Sequence, residues 1–288
     1  MGETTGIEWC DSTYNLWWGC TKVGNSPACE NCYAEAWAKR TGFHIWGTGA
    51  SRRYFPDRHL DELTRWDVKA RRANRRSRVF VMSMGDWAEG RPEQRPVLEK
   101  FFSVAEKLTH LDLLMLTKRP QLIHTLLPES WLQSPLPHVW MGTTIESQYW
   151  VKPRWDFLKQ VPSAVHWFSM EPLAGEIQLP HDFLDRGKRA WVIVGGESGN
   201  GARPMKPAWV RDLRDQSVAA GVPFHFKQWG DLLAVSECSQ TPPGDKRFEI
   251  DGVEYVRVGK KIAGRVLDGR TWDELPQAST ALQGGLFD

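Results

Sequence analysis

The stretch Ala190-Trp191-Val192-Ile193-Val194-Gly195-Gly196-Glu197-Ser198-Gly199 decides the fold. An unbroken apolar run, mostly β-branched, passes directly into two glycines, an acid and a hydroxyl, which reads as a buried strand ending in a polar turn. The same grammar recurs on both sides of it. Further candidate strands are Tyr14–Trp18, Val79–Met84, Asp112–Leu116, His138–Gly142, Val165–Ser169 and Pro223–Lys227. Helical stretches lie between them. In Pro92–Leu108 the residues Val97, Phe101, Val104, Ala105 and Leu108 form one apolar stripe, and Pro207–Ala220 opens on a proline and closes at Gly221. Strands alternating with helices build βα units and a parallel sheet.

Most of the other strands also run into a polar or glycine-bearing end: Met84-Gly85-Asp86, Thr117-Lys118-Arg119-Pro120, Thr143-Thr144-Ile145-Glu146-Ser147, Met170-Glu171-Pro172-Leu173 and Gln228-Trp229-Gly230. One such end is an ordinary turn or helix cap. A succession of them at the carboxyl ends of parallel strands forms a single mouth, the place where α/β folds bind ligands. The expected architecture is therefore α/β, a partial parallel (β/α) barrel of about six to seven strands over residues 1–231, with an insertion at 42–78. Residues 232–288 form a small β appendage and tail, in which Phe248–Tyr255 reads as a hairpin turning at Asp251-Gly252 and Asp268-Gly269 is a second such turn.

Composition narrows the class. A chain of 288 residues that is 41% hydrophobic buries a large core, and its net charge of +2 says nothing by itself about nucleic acid. No secretory signal is expected in the first thirty residues, and no stretch is long and apolar enough to span a bilayer. The five cysteines are an odd number with three packed into thirteen positions, which argues against a disulfide framework and for a reducing, cytoplasmic setting. Sixteen tryptophans are unusual; the common use is core, the rarer one stacking on bases or cofactors.

The cysteine cluster carries the chemistry. Eight residues separate Cys20 from Cys29 and two separate Cys29 from Cys32. A C-x-x-C pair serves zinc, redox and iron–sulfur sites alike. A structural zinc ion needs a fourth ligand, and neither His44 nor Cys10 has the usual spacing for one. Three thiolates on a [4Fe–4S] cluster leave one iron open to a cofactor or substrate. Because the triad follows the first strand and precedes the helix at Tyr33-Ala34-Glu35-Ala36-Trp37, it stands on the first βα loop, at the common mouth.

Gly6-Ile7-Glu8-Trp9, Trp18-Gly19-Cys20-Thr21-Lys22, Cys29-Glu30-Asn31-Cys32-Tyr33-Ala34, Leu116-Thr117-Lys118-Arg119-Pro120, Ser169-Met170-Glu171-Pro172-Leu173 and Lys227-Gln228-Trp229-Gly230 follow one another in order. With them, most of residues 5–230 resembles the phage-associated three-cysteine-motif proteins, which are similar to radical S-adenosylmethionine enzymes and in particular to spore photoproduct lyase. The usual radical motif has three residues where this chain has eight, and its aromatic precedes the last cysteine, whereas Tyr33 follows it. The resemblance implies that Cys20, Cys29 and Cys32 ligate three irons and that S-adenosylmethionine chelates the fourth. It implies a cofactor cradle of Tyr33, Met84, Gly85 and Asp86, with Asp86 toward the methionyl amino group. Glu146 and Ser147 would serve the ribose or carboxylate, Gly195 and Gly196 the adenine, and Glu197 either cofactor or substrate. Lys118, Glu171 and Lys227 are the candidates for work on the substrate, and an external electron donor is implied as a partner.

DNA or RNA is the expected substrate partner, through Lys69-Ala70-Arg71-Arg72-Ala73-Asn74-Arg75-Arg76-Ser77-Arg78, a basic run with no acid. A solvated helix face is the bland alternative. Two rival functions stand beside base modification or repair: a zinc-containing, non-catalytic nucleic-acid-binding module, and a radical enzyme acting on a small metabolite or a protein side chain.

Overall fold

A computed structural model describes residues 3–238 and 247–277. The chain begins with β1 (Ser12–Tyr14), β2 (Trp17–Trp18), α1 (Tyr33–Arg40), β3 (Arg53–Tyr54), α2 (Asp61–Arg72) and β4 (Ser77–Val81). It continues through α3 (Arg95–Ala105), β5 (Leu111–Thr117), β6 (Val139–Thr144), α4 (Gln148–Leu158), β7 (His166–Met170), β8 (Ala190–Gly195), α5 (Pro207–Ala219) and β9 (Phe224–Gln228). Three short strands follow: β10 (Leu232–Ala234), β11 (Arg247–Ile250) and β12 (Val253–Arg257). Seven strands in the order β1-β4-β5-β6-β7-β8-β9, all parallel, make one sheet curled into a half-barrel. Small antiparallel sheets, β10-β12-β11 and β2-β3, flank it. Among the described residues, no helix is long and apolar enough to cross a membrane.

The expected strand Tyr14–Trp18 is in fact two. β1 lies in the barrel, whereas Trp17–Trp18 leaves it to pair with Arg53–Tyr54 of the insertion. Asn15 causes the break: its side chain accepts from the Met84 amide at 2.7 Å and donates to Ser83 Oγ at 3.0 Å, so the chain is turned by partners nearly seventy residues away. The hairpin of β11 and β12 forms with Asp251 and Gly252 both at positive φ, as a two-residue turn requires.

Alternation along each strand assigns its two faces. Val79, Leu113, Met115, Val139, Met141, Phe168, Val192 and Phe224 pack outward against the helices in the main core. Phe80, Leu114, Trp140, Trp167, Trp191 and Ile193 point inward, and with Trp9 and Cys10 they form a second apolar cluster inside the half-barrel. Its indoles meet at tilted or edge-on angles, with Trp9–Trp167 centroids 5.5 Å and Trp167–Trp191 centroids 6.1 Å apart. Gly142 is glycine because a Cβ there would sit 2.3 Å from the Trp167 ring. Tryptophan thus floors the barrel, and everything above that floor is left for polar groups.

Candidate active site

Above the tryptophan floor the strand ends enclose a cavity of about 370 Å³, large enough for a cofactor-sized ligand. Trp9, Phe80, Met82 and Leu116 line its base. Cys20, Cys29, Cys32 and Tyr33 line one side, and polar residues from the ends of β4 to β9 line the rest.

The cysteine loop is seated on the end of β4. Gly19, at φ +109°, donates its amide to the Met84 carbonyl at 3.0 Å and forms a bridge with Gly85. A Cβ on Gly85 would come within 3.0 Å of the Gly19 carbonyl, which explains the glycine. Cys29 lies in the single helical turn Pro27–Glu30, and Cys32 stands immediately before α1.

Three ion-paired networks hold the eight residues between Cys20 and Cys29 and the turn beyond them. At the near end, Arg52 and Glu89 form a pair whose side chains are 0% and 3% exposed, and both grip Thr21, Arg52 through its hydroxyl at 2.8 Å and Glu89 through its amide at 2.9 Å. Burial works against the Glu89 charge, but hydrogen bonds from Arg52, Thr21 and Gln94 overcome it and hold the carboxyl down at about 2. In the middle, Arg154 binds Glu146 at 2.5 Å with both side chains almost wholly buried, and Arg154 also donates to Ser26 Oγ at 3.1 Å. Ser26 in turn donates to Glu146. At the far end, Arg203 joins Glu197 at 2.8 Å to the Pro27 carbonyl and the Glu30 carboxylate, each at 2.7 Å.

Of the residues singled out from sequence, the structure brings Cys20, Cys29, Cys32, Tyr33, Gly85, Asp86, Lys118, Glu171, Gly196, Glu197 and Lys227 to the cavity wall. Met84, Glu146, Ser147 and Gly195 are not on it. Glu146 is fully buried behind the cysteine loop, and Met84 presents its carbonyl to Gly19. Gly196 is on the wall, and its lack of a side chain is required by the Trp229 carbonyl, which a Cβ would meet at 2.0 Å. Asp86 has both oxygens engaged: Oδ1 accepts from Thr117 Oγ1 at 2.6 Å and the Ala88 amide at 3.1 Å, Oδ2 from the Lys118 amide at 3.1 Å and Arg119 at 2.8 Å. Through Arg119 it sets a guanidinium 3.9 Å from Cys20 Sγ. Burial, helped by Asp86, pushes the Cys20 thiol up to about 12, while Arg119 and Lys118 pull it back toward the thiolate.

On the opposite wall Lys227 donates to Glu171, whose other oxygen accepts from Trp9 Nε1 at 3.1 Å. Burial opposes the Lys227 ammonium, yet the neighbouring Glu171 carboxylate prevails and the pKa of Lys227 moves up. Tyr33 donates its hydroxyl to the Ser83 carbonyl. All five cysteines are free, and Cys10 lies in the floor cluster with its thiol pushed up to about 12 by burial.

Arg52, Glu89, Ser26 and Arg154 were not visible from sequence. Arg52 and Glu89 lie 37 positions apart and Ser26 and Arg154 lie 128 apart, so no local pattern announces them. The basic run lies at the amino end of β4, the far end of the barrel from the cavity. Half of it is spent there: Lys69 pairs with Glu3, Arg76 with Asp112 at 2.7 Å and Arg78 with Asp11 at 3.4 Å. Among the described residues Arg71, Arg72 and Arg75 have no acidic partner.

Among the described residues, no three Cys, His, Asp and Glu side chains stand close enough together to share a single metal ion. A four-iron cube is held differently, by thiolates at separate corners, and three cysteines facing one cavity beside a guanidinium fit that demand.

A family model described as "Protein of unknown function (DUF5131)" matches residues 4–276. No curated protein matches the chain. Among solved structures, a mutant of spore photoproduct lyase with bound AdoMet and dinucleoside spore photoproduct is similar, with a TM-score of 0.43 and 12% sequence identity over 84% of this chain and 67% of that one. None of these matches carries a phage association.

Proposed function

We propose that this chain, which belongs to the DUF5131 family of proteins of unknown function, is a radical S-adenosylmethionine enzyme with a [4Fe–4S] cluster on Cys20, Cys29 and Cys32. The observation that carries the reading is that all three cysteines of one loop face a single cavity at the carboxyl ends of the strands. When bound and reduced by an external donor, the cluster and cofactor supply a 5′-deoxyadenosyl radical that takes a hydrogen atom from the substrate.

The remaining roles belong to the chain. Arg119, fixed by Asp86, keeps positive charge beside Cys20. Lys118 lines the same side and has no carboxylate partner among the described residues, so its ammonium is free to meet the cofactor's carboxylate. Glu171 and Lys227 face the substrate with an acceptor and a donor in fixed positions, Glu171 being held by the Trp9 indole N–H. The apolar floor excludes water from beneath the reacting atoms. As to the substrate, we favour a nucleic-acid base, modified or repaired.

Anaerobic reconstitution should give about four irons and matching sulfide per chain. Cys20→Ala, Cys29→Ala or Cys32→Ala should each abolish loading, and Cys10→Ala and Cys238→Ala should preserve it. With dithionite and S-adenosylmethionine the loaded protein should release 5′-deoxyadenosine. Stoichiometric zinc without a brown chromophore, or a reducible cluster that yields no 5′-deoxyadenosine, would sink the proposal.

A further inference from the structure

The cavity has a second cationic edge, contributed by the C-terminal appendage. Lys260, from the single helical turn Lys260–Ala263 of the C-terminal appendage, lines its rim. The Lys260 backbone is fixed by Asp231, whose Oδ1 accepts the Lys260 amide at 3.1 Å and whose carbonyl accepts the Val258 and Gly259 amides at 3.0 and 3.1 Å. Asp231 Oδ2 accepts the Gly199 amide at 2.8 Å. One carboxylate therefore binds the backbones of Lys260 and Gly199 at once, and this sets Ser198 next to Lys260. Ser198 lines the same cavity, and its Oγ is buried and has no hydrogen-bond partner. Buried hydroxyls without partners are uncommon and mark places where a ligand or water belongs. The Lys260 ammonium likewise has no carboxylate partner among the described residues. Of the acids on the cavity wall, Glu171 is engaged with Lys227, Glu197 with Arg203 and Asp86 with Arg119, while Glu8 has no cationic partner among the described residues.

We infer that Lys260 and Ser198 form a phosphate-binding subsite for the substrate. A lysine acts as a point charge that suits a tetrahedral phosphate, and a hydroxyl adds one donor, whereas a planar carboxylate is best met by an arginine fork, and Arg257, which meets the same residues, is engaged with Asp231 at 3.6 Å and the Gly199 carbonyl at 3.4 Å. A ligand anchored there extends inward toward Glu171 and Lys227, where a hydrogen-bond acceptor and a donor stand side by side for a heterocyclic edge. The substrate class is then a phosphate-bearing nucleotide or a nucleotide unit of a longer chain. The inference rests on this cavity being the substrate site and does not depend on the cluster.

Isothermal titration of the full-length, unreconstituted chain with uridine 5′-monophosphate, uridine, inorganic phosphate and acetate tests it. Wild type should bind the monophosphate at least about tenfold more tightly than the nucleoside, as expected for a charge-assisted contact. Lys260→Ala should erase that preference, Lys260→Arg should keep part of it, and Ser198→Ala should weaken the monophosphate by a few-fold. Circular dichroism confirms that each variant is folded. Equal affinity for nucleotide and nucleoside, a preference that survives Lys260→Ala, or acetate competing as well as phosphate would each overturn the inference. Because no iron is present, failure here is separable from failure of the radical chemistry.

Discussion

The two ends of the half-barrel use the same residue types for opposite purposes. At the mouth, Arg52–Glu89 and Arg154–Glu146 are almost wholly buried and each grips the cysteine loop, at Thr21 and at Ser26. At the amino end, Lys69–Glu3 has both side chains more than half exposed, and Arg76–Asp112 sets a 48% exposed cation over a buried acid; they fasten a helix end and a strand start. A buried pair that loses one partner leaves a charge without water or counterion, while an exposed pair is replaced by solvent at little cost. The mouth is therefore the part of the molecule whose geometry the charges dictate. At the other end they only trim it.

The largest effect expected from this contrast is at Arg154. Arg154→Met should destabilise the protein by about 3–5 kcal/mol, because Glu146 would be left buried and unpaired. Urea denaturation would measure it. Adding Glu146→Gln should restore a substantial part, since the orphaned charge is removed. If Arg154→Met costs no more than Arg76→Ala, the two ends do not differ in the way their burial says.

Acid should strike the ends in the opposite order. His166, at the start of β7, is 1% exposed and burial holds its pKa down at about 3; His225 is held at about 4, also by burial first. Both are far below the ordinary 6.5, so below that value the unfolded chain binds protons that the folded chain refuses. Stability then falls as pH falls from 6.5 toward the folded values, by about 1.4 kcal/mol per unit for each histidine at most. Glu89, lowered to about 2, contributes stability that is lost only below about 4.5. Between pH 6.5 and 4.5 the loss belongs to the histidines, and His166→Gln should flatten the dependence of Tm on pH in that window. An unchanged slope would show that His166 is not kept neutral.

How much of this was legible in the sequence depends on the range over which each feature is determined. The parallel strands were, because each is a local apolar run with a polar end; Tyr14–Trp18 was misread, where Asn15 answers to Ser83 and Met84, and Val79–Met84 was carried too far, since the strand stops at Val81 and Met82 turns at φ +66°. The cysteine loop was legible from its spacing. Its supports were not, since an arginine such as Arg154, inside an ordinary amphipathic helix, reveals its purpose only once folding sets it against Ser26. Lys260 escaped for the same reason, being tied to the mouth through Asp231.

The smallest expected effect on stability is also the one that decides what the amino end is for. Arg71, Arg72 and Arg75 are exposed and, among the described residues, unpaired, so replacing all three by Ala should change stability by no more than about 0.5 kcal/mol per site. If they track a phosphate backbone, the same triple variant should bind DNA or RNA more weakly regardless of sequence. Its plot of log affinity against log salt should lose up to about 0.9 of slope per contact removed. Arg76 is left out of the set because its bidentate hold on Asp112 belongs to the strand start. Since this surface lies at the far end of the barrel from the cavity, a nucleic acid bound to it could not reach the cysteines without passing round the rim, so contacts here would supply affinity and leave the chemistry untouched. A triple variant with wild-type affinity and salt slope would mean that the run is a solvated surface, and that any nucleotide substrate is held at the mouth alone.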